Sequence, residues 1–497
     1  MRDLLHPVKA VRAAGLVDGV SLLVLFGIAM PLKYFADMPM AVTIVGTIHG
    51  YIVIFYLLAI LYAQLRLQWH VGWSLLCLAA AFVPLAWFAV DRAIARRRDR
   101  FEVKPIPVKC LVYAVVFFSF IDLFVQLPVM STYALSLGAS ATVAGLIVGM
   151  YSATNLFGNI FSGVLTDRRG AYPVLTAGLA LTSGVLLLYG AVAAPAALVA
   201  VRFLHGFVSG LIVPAAFTFL ANMTERERQG SQSAVSGTFV GVAAIVGPAY
   251  SGIMASRTSV PFVFATVAVL GLGLLLLTAI FLRKRDARGR GERRSAGKLV
   301  RNRELLQSFA GAFFLMFSQG ALAYLLPRHV ENLGYSSRMS GTLMSLFGLI
   351  AVAVFIVQAR AGFRRLAPAM RSAAGLAMMA LSQILLGQGA GMAVLGAVMA
   401  LYGLGFALLF PAINTLLIHG TTEANRGRAY GWFYALFSAG TVAGSSGIGL
   451  VRLPVAGQFV LTGCVMLLCV SAVLLTAPRA KILPAESGAD RGSRGEY

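Results

Sequence analysis

Charge is what this 497-residue sequence lacks most. Asp, Glu, Lys and Arg make up 12% of it, where soluble domains run near about 25%. So little charge cannot clothe a water-soluble globule, which excludes an ordinary soluble enzyme or binding module. Acidic residues are the scarcer sign, 18 against 41 Lys and Arg, giving a net charge of +23. Such an excess can signal nucleic acid. Here the basic residues stand in short stretches between apolar runs, so membrane topology and anionic headgroups account for them and no nucleic-acid partner is expected. Cys77, Cys110, Cys464 and Cys469 are the only cysteines. They lie inside apolar segments without metal-ligand spacing, so they read as packing residues, with no disulfide and no metal implied. A Ser or Cys nucleophile pattern and a nucleotide-binding loop are also missing. An intramembrane enzyme would have only Asp18, His49 and His205 to draw on, and the chain is expected to be neither an enzyme nor a cofactor protein.

What the sequence does have is apolar length. Hydrophobic residues reach 59%, in continuous runs of about 20, the span of a bilayer core. Continuous rather than alternating runs predict an all-α membrane protein and not a barrel. Three runs lead the chain, at 13–34, 40–66 and 70–91. The basic start and first run superficially resemble a signal peptide, but the run is too long and lacks a small-residue cleavage site. Gly15 and Gly19, and Gly46 and Gly50, stand four apart, a spacing that lets helix backbones meet closely. Asp18 and His49 are polar residues in apolar runs. Either they hydrogen-bond each other, or each finds a backbone group or a headgroup separately.

Residues 93–106 are strongly basic and mark a boundary. Twelve further runs follow, near 108–130, 141–164, 172–193, 196–222, 232–254, 260–283, 306–328, 338–359, 371–389, 391–418, 430–450 and 456–477. The expected organisation is a leading three-helix domain over 1–92, a cytoplasmic linker over 93–106, a six-helix half over 107–283, a second basic cytoplasmic linker over 284–305, a six-helix half over 306–477 and a disordered tail over 478–497. The halves repeat. Gly206, Pro214, Ala215 and Gly230 each find a counterpart 197 positions on, at Gly403, Pro411, Ala412 and Gly427. Arg168, Arg169, Arg226, Arg228 and the cluster after 283 fall on one set of loops, expected to be cytoplasmic together with the C-terminus. Three leading spans would put Arg2, Lys9 and Arg12 outside, against that rule. Either the larger bundle overrides it or one leading run does not span.

Several stretches carry chemistry. Phe161 to Gly170 reads FSGVLTDRRG: an apolar run ends at Leu165, and Asp167, Arg168 and Arg169 follow before Gly170 closes the turn. Gly163 leaves room for a close helix, and a carboxylate at Asp167 can serve the N-terminus of a neighbouring helix. Arg202 lies inside the fourth of the twelve runs, where an Arg is costly and a functional candidate by default. Asp122 and Gln126 stand one turn apart in the first. A cavity holding Asp122 near Arg202 could load and release a proton, with His205 as a relay; a static ion pair that only orders the bundle is the other reading. Asn155, Asn159, Gln319, Tyr324, Tyr402 and Asn414 are candidates, with Gln126, for the lining of a cavity suited to an amphiphilic or weakly charged molecule.

These stretches resemble known families. Gly163, Leu165, Asp167, Arg168 and Gly170 resemble the loop between helices 2 and 3 of the major facilitator superfamily, although Ala171 and Tyr172 replace its last basic positions. Arg202, Gly206 and Gly210 resemble its helix 4 motif, with His205 in place of Gln. Gly247, Pro248 and Gly252 resemble the helix 5 motif of its antiporters, with Ala243 replacing a glycine. The resemblance implies a twelve-helix fold of two six-helix halves, alternating access, proton linkage at Arg202 and export rather than uptake. It implies a secondary transporter in a bacterial-type cytoplasmic membrane, in contact with lipids, monomeric, exchanging protons for a small molecule. An importer or uniporter of the same fold, or export of a lipid-like molecule or small metal chelator, is the alternative. Asp18-Gly19-Val20-Ser21, Pro31-Leu32-Lys33 and Gly46 to Gly50 resemble a three-helix membrane family of unknown function. That segment could instead regulate the carrier or recruit a partner.

Overall fold

The computed structural model describes residues 6–81, 83, 85–97, 100–103, 108–225, 228–282, 302–335, 338–361, 366–388 and 391–476. Helices account for nearly all of them. The expected linker over 284–305 is described only from Asn302 onward, and the expected tail lies outside the described residues. The chain divides into two compact units after Cys110.

In the first unit α1 (Pro7–Val24) passes through a wider π turn at Leu25–Ala29 into α2 (Met30–Phe35), and α3 (Pro39–Leu67) returns beside α1. Proline in the first turn starts α1 and α3, where a missing N–H costs nothing. These two stretches are long and apolar enough to cross a membrane. The third leading run is not one helix. It forms α4 (Val71–Ala80) and α5 (Ala86–Arg96), neither long enough alone to cross. Pro84 in the sequence cannot donate to a helix ladder, and Leu85 restarts the chain with a φ of 68°. The α5 helix buries Trp87, Val90 and Ile94 and ties to α1 through Arg12, whose Nε and Nη2 donate to Asp91 at 2.6 and 3.1 Å. It runs four residues into the stretch expected as linker, because that apolar stripe continues to Ile94. Gly15 and Gly19 face Trp87 rather than a helix backbone, since a Cβ on Gly15 would come within 2.5 Å of the indole.

The second unit holds α6 (Val108–Val125), α7 (Met130–Ser136), α8 (Ala141–Arg169), α9 (Ala171–Leu188), α10 (Pro195–Ser209), α11 (Ile212–Asn222), α12 (Gln229–Arg257) and α13 (Val260–Phe281). Then come α14 (Arg303–Asn332), α15 (Arg338–Ala361), α16 (Pro368–Gln388), α17 (Met392–His419), α18 (Arg426–Val442) and α19 (Val455–Thr476). With α10 and α11 read as one interrupted crossing and α7 as a turn of helix between crossings, these make six and six. Ser140, Ser259 and Asn302 cap α8, α13 and α14 by accepting from backbone N–H groups. The halves meet along α8 against α18 and α12 against α15, with α11 also on α18 and α12 on α17.

Candidate functional site

Three charged or ionisable side chains lie buried where α6, α8 and α10 meet: Asp122, Arg202 and His205, each at most 2% exposed. The α6 and α10 helices run antiparallel, which sets the pairing. His205 is level with Asp122, and its Nε2 lies 3.0 and 3.2 Å from the two carboxylate oxygens. One turn along, Arg202 is level with Gln126 and donates to its Oε1. The Nε and Nη2 of Arg202 donate to the carbonyls of Ile147 and Val148, both at 3.0 Å. Asp122 and Arg202 thus lie near each other without an ion pair between them, because the antiparallel register puts the acid opposite His205, and the cavity expected to hold Asp122 does not include it. Tyr151 of α8 lies between the two charges. Its hydroxyl donates to Asp122 Oδ2 at 3.5 Å, and its ring centroid is 4.9 Å from the Arg202 guanidinium carbon. Ser209 donates to the Tyr151 hydroxyl at 2.9 Å, and Tyr189 faces His205 Nδ1 at 3.0 Å. Sequence reasoning passed over Tyr151, Tyr189 and Ser209.

Beside this cluster a cavity of about 500 Å³ opens between the halves. Asn155, Asn159 and Gln319 line it, and so do Tyr151, Ser209 and Pro248. No Asp, Glu, Lys or Arg is among its lining residues. Ser438 of α18 donates to Asn155 Oδ1 at 3.2 Å, and Asn159 donates to the same oxygen at 2.8 Å, so a polar contact bridges the halves at the cavity wall. Four expected lining residues are elsewhere. Gln126 is taken up by Arg202. Tyr402 is fully buried between Ser318 and Gln319. Asn414 is buried and donates to its own helix at Phe410. Tyr324 turns to Arg328. Each sits on a polar position of the right helix but on the wrong face of it.

At one end of the bundle the halves are locked together. Asp167 accepts from the backbone N–H groups of Gly427 and Arg428 at 2.7 and 3.1 Å and from Arg428 Nε at 2.9 Å. It thus caps the N-terminus of α18, where unpaired N–H groups and the helix dipole favour an anion. A Cβ at Gly163 would stand 2.6 Å from the Gly427 carbonyl, so only glycine permits this approach. Arg426 adds a bond to Asn222 at 2.6 Å. Phe217 packs on Phe410, Tyr430 and Tyr434 with ring centroids 5.3–6.4 Å apart, filling the space between the halves. Arg168 is exposed, and Gly170 turns the chain into α9 with a φ of 89°. In α12, Gly247 packs under Phe124, Pro248 faces the cavity, and Gly252 has open space beside it.

In the first unit Asp18 is buried, but His49 Nδ1 is 4.0 Å from its Oδ1 and no hydrogen bond joins them. Ser21 stands in between. Its hydroxyl lies 2.8 Å from His49 Nδ1 and 2.8 Å from the Asp18 carbonyl, and Asp18 Oδ1 has no hydrogen-bond partner among the described residues. Of the two readings left open, the direct hydrogen bond is not formed, although the two groups stay within ion-pair distance.

The profile of the Major Facilitator Superfamily matches residues 112–445. The chain belongs to this superfamily. It is thus a multi-pass membrane transporter of a small molecule and not an enzyme. The "Multi-drug resistance efflux pump PmrA" of Streptococcus pneumoniae is 25% identical over 352 residues, 67% of this chain and 85% of that one. The crystal structure of the human organic anion transporter MFSD10 superposes with a TM-score of 0.62 at 16% identity, covering 74% of this chain and 98% of that one. Residues 8–96 match a domain of unknown function, DUF3817. The "Uncharacterized membrane protein YdzA" of Bacillus subtilis is 48% identical over 92 residues there, 18% of this chain and 96% of that protein. This superfamily member therefore carries an additional membrane domain at its N-terminus.

Proposed function

We propose that the protein is a proton-coupled exporter of a small amphiphilic molecule, working by alternating access. The observation that carries this reading is a buried acid–imidazole pair, Asp122 and His205, set beside a charge-free cavity between the halves. Arg202 balances the charge of Asp122, so binding one proton there changes a neutral site into a cationic one. A buried site that changes net charge favours different exposures before and after, which is what a coupled carrier needs. The cavity offers amide and hydroxyl groups among apolar walls, which suits an amphiphile. Export is supported by the relation to an efflux pump and by Pro248 at the cavity wall. With Arg168 and Arg169 on the cytoplasmic side, the end locked by Asp167 is cytoplasmic, and so is the C-terminus. The expected setting is a bacterial-type cytoplasmic membrane, with the protein acting as a monomer among lipids.

The test is transport in everted vesicles energised by an imposed proton gradient, with ethidium and Nile red as a cationic and a neutral probe. Gradient-driven accumulation should be present in the natural protein and lost in Asp122→Asn and Arg202→Ala, by about a hundredfold or more. Full gradient-driven transport in both variants overturns the coupling. Accumulation in right-side-out vesicles instead marks an importer.

A further inference from the structure

We propose that Tyr151 is the gate through which protons pass between the substrate cavity and the Asp122–His205 pair, so that substrate controls protonation without touching the acid. This rests on the proton-coupled reading above and says where that coupling is enforced.

Asp122 is 1% exposed, His205 is fully buried, and neither lines the cavity. A cavity-bound molecule cannot reach the carboxylate, so a proton has to cross an intervening group. Among the described residues Tyr151 is the one side chain that both lines the cavity and hydrogen-bonds Asp122. Ser209 lines the cavity as well and donates to Tyr151. The Ser209 hydroxyl stands 2.9 Å from the Tyr151 oxygen and 3.2 Å from the Gly206 carbonyl, and Tyr151 donates to Asp122, so the chain runs from Ser209 to Tyr151 to Asp122 when the Ser209 proton is turned to the phenol. Tyr189, which holds the far side of His205, does not line the cavity.

The transfer balances as a relay. The Tyr151 O–H bond breaks as its proton joins Asp122 Oδ2. The Tyr151 oxygen takes the Ser209 hydroxyl proton, and Ser209 is refilled by a hydronium ion in the cavity, which leaves as water. The net change is one proton moved from cavity water to the carboxylate. Arg202, over the Tyr151 ring, stabilises negative charge that builds on the phenol oxygen during the transfer. The Tyr151–Asp122 separation of 3.5 Å is long for a hydrogen bond. A small rocking of α8 against α6 can therefore make or break it. A substrate that fills the cavity displaces the water that feeds Ser209, and protonation stops until the substrate leaves. Neutral and cationic substrates are then coupled alike.

Packing does not require the hydroxyl. At the related place in the second half, 196 positions on, Phe347 stacks edge-on against Tyr402 at 5.3 Å, as Tyr151 does against His205 at 5.1 Å. Tyr151→Phe should therefore fold. The test needs no substrate. The full chain in nanodiscs is given an acid pH jump, and the carboxylic C=O band is followed by time-resolved infrared, with Asp122→Asn identifying the band. In Tyr151→Phe the band should reach its full amplitude, shifted by the loss of one hydrogen bond, but rise roughly a hundredfold more slowly, the scale of lost acid–base assistance. Ser209→Ala should slow it less, because cavity water can stand in for the missing hydroxyl. A natural rate of rise in Tyr151→Phe overturns the gate while leaving coupling intact. If Asp122→Asn removes no band, Asp122 takes up no proton, and the coupled reading itself is overturned.

Discussion

The two six-helix halves pack alike around the cavity and differ in what they bury. Gly206 lets α10 lie against the carbonyl of Tyr151, and Gly403 lets α17 lie against the carbonyl of Phe347. On this shared frame Asp122 and His205 in the first half correspond to Ser318 and Tyr402 in the second, 196 and 197 positions on. The contact is kept: Ser318 Oγ is 3.0 Å from the Tyr402 hydroxyl, just as His205 is 3.0 Å from Asp122. Arg202 becomes Met399. At these equivalent positions one half thus holds an acid, an imidazole and a guanidinium, and the other holds two hydroxyls and a thioether. Buried charges are costly in a membrane, and a neutral hydrogen-bonded pair serves the packing equally well. The second half shows what the frame needs for stability, and the excess in the first half is what function adds.

The strongest way to break this contrast is to give the first half the chemistry of the second. Arg202→Met leaves the carboxylate of Asp122 without its balancing cation and strips Gln126 of its partner. The expected loss is about 3–5 kcal/mol of stability, read from unfolding in mixed micelles, together with loss of gradient-driven transport. If Arg202→Met keeps both, the charge in the first half is incidental and the contrast means nothing for coupling.

A smaller effect is expected where the halves meet. Gly163→Val puts a side chain into the Gly427 carbonyl in the conformation seen here, but not once α8 and α18 part. The strain of about 1–3 kcal/mol should shift the population toward the state open at the Asp167 end by roughly 5- to 150-fold. Cysteine labelling at residue 217, buried between the halves by the aromatic cluster, measures that shift. Unchanged labelling would mean that the α8–α18 contact does not open during transport.

Much of this architecture was legible in the sequence, because apolar length and a repeated Gly-Pro pattern are one-dimensional signals. The third leading run misled through its length alone. The run breaks between Ala80 and Ala86, giving α4 and α5. Asp122, Arg202 and His205 stood out because each is a polar residue in an apolar run. Their pairing did not, since the register between two antiparallel helices is set by packing and not by spacing within either. Helix rotation likewise separated Asn155, Asn159 and Gln319, which line the cavity, from Tyr402 and Asn414, which do not. Tyr151 had a readable signal: with Asn155 and Asn159 it forms a stripe at intervals of four along α8. Ser209 likewise extends the face of Arg202 and His205.

The smallest expected effect is the control for all of this. Ser318→Ala removes the hydroxyl that stands where Asp122 stands in the other half. Tyr402 keeps a partner in Gln319 Oε1 at 3.1 Å, and Gln383 keeps the Ser318 carbonyl at 2.9 Å. No buried group is orphaned, so the cost should stay near about 1 kcal/mol, that of one neutral hydrogen bond. Transport should keep its natural rate and its natural dependence on pH in vesicles buffered across the working range. Should Ser318→Ala instead lose gradient-driven transport as Asp122→Asn is expected to, the second half also carries protons. The coupling machinery would then be shared across the pseudo-two-fold axis rather than confined to one side of it.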